Sequence, residues 1–98
     1  MARHQKPAPV IPTWAKTEPN ECLTSVGEEV YTARNLAVVG WNADQYPQCA
    51  PLLAAGDKNR RILDDTTASV GKRTDAGERA LRKYWEAKSC ARRIQNAK

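Results

Sequence analysis

The sequence predicts a mainly α-helical chain: an extended, proline-rich N-terminal arm followed by two or three short helices with little independent core. Three observations carry this. Four of the six prolines fall within residues 1–20. Two later stretches pair a helix-start signal with apolar residues at steps of three and four. The 41% hydrophobic content leans on alanine, and Phe is absent. Alanine buries little area at roughly 25 cal/mol per Å², against roughly 1–2 kcal/mol per residue for ordering the backbone.

Residues 1–24 form the expected arm. Proline fixes φ, removes a donor and pushes its predecessor toward extended conformations. Trp14 sits in this arm with only Val10 and Ile11 as apolar company. Folding back onto the chain's own helices is one reading of that indole. Anchoring the arm in a partner's groove is the expectation adopted.

Residues 25–67 read as a helix, a turn and a short helical segment. In "SVGEEVYTARNLAVV", Ser25 and Glu28 make a capping box, and Val26, Val30, Ala33 and Ala37 share one face. The helix is expected over 25–39, with Gly40 as its stop; Val38, Val39 and Trp41 favour a competing strand. Pro51 suits the first turn of a short helix through Ala55, and Gly56 then opens a turn at "GDKN" before a helical piece "RRILDD".

Residues 68–98 read as a linker and a basic amphipathic helix. The stretch "TTASVGKRT" has no sustained period. Asp75 is then a cap candidate with Glu78 three residues on, opening a helix over 75–95. Ala80, Tyr84, Ala87, Ala91 and Ile94 form its seam, widened by Leu81 and Trp85, with Arg79, Arg82, Lys83 and Arg93 on the opposite side. The apolar residues of this seam and of 25–39 are expected to bury against each other and against a host.

Charge and motifs then narrow the function. The net charge is +5, and nine Lys or Arg against three acids leave residues 71–98 at +6. A basic tail suits an acidic protein surface, RNA or an anionic membrane. His4 is the lone histidine and lies on the arm, the acidic pairs in "GEEV" and "LDDT" are sequence neighbours that do not face one another on a helix, and "SVGKRT" lacks the first glycine of a P-loop. No catalytic residue, cofactor or metal ligand is therefore expected, and the chain is not expected to be an enzyme. Cys22, Cys49 and Cys90 have no close spacing. They are expected to be reduced and buried, with one bridge plus a free thiol as the alternative. No apolar run reaches the ~18–20 residues of a membrane span, and the first residues lack the roughly 7–15-residue apolar stretch of a secretory signal, so none is expected.

The expected function is that of a non-catalytic structural accessory subunit that docks on and stabilises a large assembly through other protein subunits with an acidic surface. A respiratory-chain complex or a microtubule lattice is the type of host in view. The expected location is intracellular, in the mitochondrion or the cytoplasm and cytoskeleton, and not secreted. Trp14, Tyr84, Trp85, Arg79, Arg82 and Arg93 are the expected partner-binding residues. The alternative is a small basic protein of a ribonucleoprotein such as a mitochondrial ribosome, contacting RNA through the C-terminal tail. Lying on a membrane surface fits less well, because the apolar face of the last helix is short in bulky residues.

Overall fold

Asn20, directly after Pro19, decides where the first long helix begins. Its side-chain oxygen accepts from the backbone N–H of Leu23 at 3.1 Å, so helix α2 runs Glu21–Asn35 and Ser25 lies inside it. The expected start at Ser25 is thus four residues late. The earlier start adds Leu23, which is fully buried, to the face of Val26, Val30 and Ala33. In the computed structural model, which describes residues 11–97, a single-turn helix α1 (Thr13–Thr17) precedes it. The arm is therefore helical rather than extended at Trp14, and its first ten residues lie outside the described residues.

Past Asn35 the chain continues as a π-helical turn, Leu36–Gly40, and the strand reading of this stretch is not realised. A left-handed residue, Asn42 (φ 55°), then redirects the backbone into a short 3₁₀ turn, Ala43–Gln45. Asparagine tolerates that conformation better than most residues.

Helix α3 spans Ala50–Asp64 without interruption, with Pro51 in its first turn as expected. The turn expected at Gly56 is corrected by packing. A Cβ built at Gly56 would stand 2.6 Å from Cε1 of Tyr84, so the missing side chain is what lets the ring lie on the helix. A helix stop and a helix contact look alike when read as an isolated glycine. Here the contact wins.

Helix α4 runs Val70–Asn96 and is capped by Ser69, whose hydroxyl accepts from Lys72 N–H at 3.2 Å. Of the expected linker, residues 66–69 stay non-helical, whereas residues 70–74 belong to the helix. Arg73 is buried there, and that burial outweighs the weak periodicity of the segment.

Helix α4 is the spine, with α3 and α2 packed on either side and little direct contact between those two. Gly77 marks the crossing: a Cβ there would meet Val26 of α2 at 3.1 Å and Leu63 of α3 at 3.4 Å. The core is contiguous but thin. Tyr84, Leu23, Leu63, Val30 and Cys49 are its largest fully buried side chains, and alanines supply much of the rest. Small residues let the helices approach closely, and the Cα trace measures 45 × 29 × 15 Å, a flat layer.

The cysteines follow the alternative reading, one bridge plus a free thiol, in place of three reduced and buried side chains. Cys49, just before α3, and Cys90, on α4, are joined by a disulfide, with Cα atoms 5.7 Å apart. Cys22 is an exposed free thiol. Spacings of 27 and 41 residues carry no sign of this pairing, because it is created by α3 and α4 lying side by side. Among the described residues the protein is mainly helical, contains no strand, and has no helix long and apolar enough to cross a membrane.

Candidate protein-docking face

The two faces of the helical layer differ in chemistry. On one, long polar side chains close the gap between α2 and α3 above Tyr84. The Tyr84 hydroxyl donates to Asp57 Oδ1 at 2.5 Å and accepts from Arg60 Nε at 3.1 Å. Arg34 Nε donates to the same Asp57 oxygen at 3.0 Å. Tyr31 donates to Asp64 Oδ2 at 2.6 Å, and Arg60 Nη1 donates to that carboxylate oxygen at 3.1 Å. Burial works against ionisation of Asp57, but the hydrogen bonds from Tyr84 and Arg34 and the nearby guanidinium charges outweigh it, so its carboxyl sits below the ordinary value. Burial, together with the Asp57 carboxylate, pushes the Tyr84 hydroxyl well above its ordinary value. Every group in this cluster has a partner within the chain, so the arrangement serves as a clasp between helices.

Trp14 belongs to this intramolecular side. Its indole N–H donates to Asp64 Oδ1 at 3.0 Å, and its ring edge lies on Gly27, where a Cβ would stand 3.1 Å from Cη2. The Arg73 guanidinium stacks 4.5 Å from its ring. Arg73, 3% exposed, is itself held by a bond from Nε to the Leu63 carbonyl at 2.8 Å and by an ion pair to Glu18 at 3.7 Å. The expected partner anchor Trp14 therefore holds α1 against the protein's own helices.

Tyr84 likewise lies wholly inside, 0% exposed. The buried seam of α4 is Arg73, Ala76, Gly77, Ala80, Tyr84, Ala87, Cys90 and Ala91, which leaves Trp85 outside it. Neighbours on a helix stand about 100° apart, so Tyr84 and Trp85 cannot both point into one narrow seam.

Trp85 is 54% exposed and forms a ridge on the opposite face of the layer. One flank is a groove of about 610 Å³ between α2 and α4, with Ile11, Ala33, Leu36 and Leu81 as its apolar wall and Glu28 and Glu29 at its edge. The other flank is a depression of about 540 Å³ bounded by Leu52, Ser89, Glu86, Arg82 and Arg93. Of the expected site residues, Trp85, Arg82 and Arg93 are thus brought together. Arg79 points elsewhere, its Nε donating to Asn59 Oδ1 at 3.0 Å.

The grouping of Trp85 with arginines corrects the expectation that it would lie with the apolar seam away from them. Glu29, Leu36 and Leu52 were missed as parts of this face. They come from helices whose relative placement no local pattern encodes. Comparison with family models, curated proteins and solved structures finds no match to this chain.

Proposed function

We propose that the chain is a non-catalytic structural subunit that works by docking on other protein subunits of a larger assembly, through the face centred on Trp85. The observation that carries this reading is the half-exposed indole standing between an apolar groove and a depression with two arginines. Tryptophan and arginine dominate the energetics of protein interfaces, and a large aromatic left in water is costly unless something covers it. The clasp around Tyr84 supports the reading from the other side, since it joins the three long helices into one body that can present this face.

The test is co-purification of the tagged chain with quantitative comparison of wild type, Trp85→Ser and Arg93→Glu. A defined set of proteins lost with both substitutions, while helicity by circular dichroism is retained, supports the proposal. Retention of the same set by both variants refutes it.

A second reading, contact with RNA, is favoured by one observation: Trp85 shares its depression with Arg82 and Arg93. An aromatic beside cations is how single strands are held, with base stacking worth roughly 1–3 kcal/mol per base. Glu28, Glu29 and Glu86 around the same indole weigh against it. RNA binding that weakens steeply with salt and is lost in Trp85→Ser would place this reading first.

A further inference from the structure

We infer that the occupant of the Trp85 face is a second copy of this chain, paired antiparallel along α4 about a twofold axis that passes at Trp85. The inference rests on the docking reading of this face and names its partner.

The face is complementary in charge to itself. Trp85 lies close to the middle of α4, which spans Val70–Asn96. Glu78 precedes it by seven residues and Arg92 follows it by seven, so each stands two helical turns, about 10.5 Å, from the indole and within about 20° of its direction. Both are exposed. Their side chains carry opposite charge. An antiparallel copy related by a twofold at Trp85 places Glu78 opposite Arg92 of the second copy, and the reverse, in an isologous contact.

The flanks follow the same rule. Glu29 lies in one depression with Glu78, so the acidic end of the face is built from α2 as well as α4. Arg92 already reaches to that side of the helix, its guanidinium 6.0 Å from the Trp41 ring. A parallel copy would instead set Glu78 against Glu78 and Arg92 against Arg92.

Shape agrees with charge. The layer measures 45 × 29 Å across its broad side, which has room for the roughly 800 Å² per partner of an ordinary specific interface. The two indoles would then meet at the centre, where interface anchors concentrate, while the ion pairs lie toward the rim and set register more than affinity. A symmetric pair of three-helix layers would bury the ridge that a single copy leaves in water.

The test uses the full chain and its oligomeric state. Sedimentation equilibrium or light scattering of the wild type between about 1 and 100 µM, a range that captures micromolar dissociation constants, should show a monomer–dimer equilibrium. Trp85→Ser should yield a monomer with unchanged circular dichroism. Glu78→Arg and Arg92→Glu alone should each weaken the dimer by about tenfold or more, because like charges then face one another. Mixing those two variants should restore dimers at wild-type strength, since one chain carries only cations at both rim positions and the other only anions. The double substitution in one chain should also restore them.

A wild type that stays monomeric throughout this range overturns the inference. So does a dimer indifferent to Trp85→Ser, or one whose mixed charge variants fail to pair. A monomeric wild type leaves the docking proposal standing wherever co-purified subunits still depend on Trp85; loss of that dependence is the separate failure of the docking proposal.

Discussion

Replacing both Cys49 and Cys90 by alanine tests how much of this fold is held by a cross-link and how much by its thin core. The bridge spans a sequence separation of 41 residues, from the entry of α3 to the last turns of α4. In the chain-entropy account, closing a loop of about 41 residues removes about 13 cal/mol/K from the unfolded ensemble, or about 4 kcal/mol at 25 °C. Domains of this size have a total stability of about 5–15 kcal/mol, so the loss would consume a large part of it. At roughly 4–8 °C per kcal/mol, the midpoint of thermal unfolding should fall by roughly 15–30 °C.

Thermal and urea denaturation followed at 222 nm, on oxidised wild type, reduced wild type and the double variant, measure the effect. Thiol titration checks the premise. Oxidised protein should expose one reactive thiol, that of Cys22, both native and in denaturant, and three after reduction. Three thiols in denaturant without reductant, or superimposable melts of oxidised and reduced chains, would refute the reasoning.

Two glycines separate packing from propensity. Gly56→Ala should destabilise by about 1–3 kcal/mol even though alanine is the better helix former, because its Cβ would drive into the Tyr84 ring. Gly71→Ala, where nothing lies within 4 Å, should raise stability by a few tenths to about 1 kcal/mol; urea melts of the two variants check both signs. The clasp predicts a pH dependence. Asp57 is held below its ordinary value of 3.8 in the folded state, so its contribution is present above that pH and is lost as pH falls through the lower, folded value. Tyr84 is raised above 10.0, so its contribution is present below that pH and is lost as pH rises toward the folded value. Asp57→Asn should flatten the acid limb of stability against pH and Tyr84→Phe the alkaline limb; unchanged limbs in urea melts across pH would discard the clasp as the cause.

Helical character was legible because it is written locally. The apolar steps through Val26, Val30 and Ala33 and through Ala80, Tyr84 and Ala87 place the buried faces of α2 and α4 correctly. The helix ends were less so. Asn20 and Ser69 are competent caps, yet Ser25 with Glu28 and Asp75 with Glu78 present stronger capping-box patterns, and burial of Leu23 and Arg73 goes with the earlier starts. The candidate site was legible in part: Trp85, Arg82 and Arg93 do share a surface, whereas Trp14 and Tyr84 are used within the fold. The period of three and four puts Tyr84 in the seam and Trp85 about 100° away from it, but whether that flank is covered depends on which helix lies beside it.

By itself the sequence determines a helical, basic chain, with its charge concentrated at the C-terminal end and its helices able to pack closely through alanine and glycine. These follow from composition and from periods of three and four, which act over a single helix turn. Tertiary structure decides the rest. It makes Gly56 a seat for Tyr84 instead of a turn, joins Cys49 to Cys90, turns Trp14 inward and leaves Trp85 outside. Each of these depends on which helix lies beside which, a choice made by the sum of many small contacts across the layer and by no residue alone.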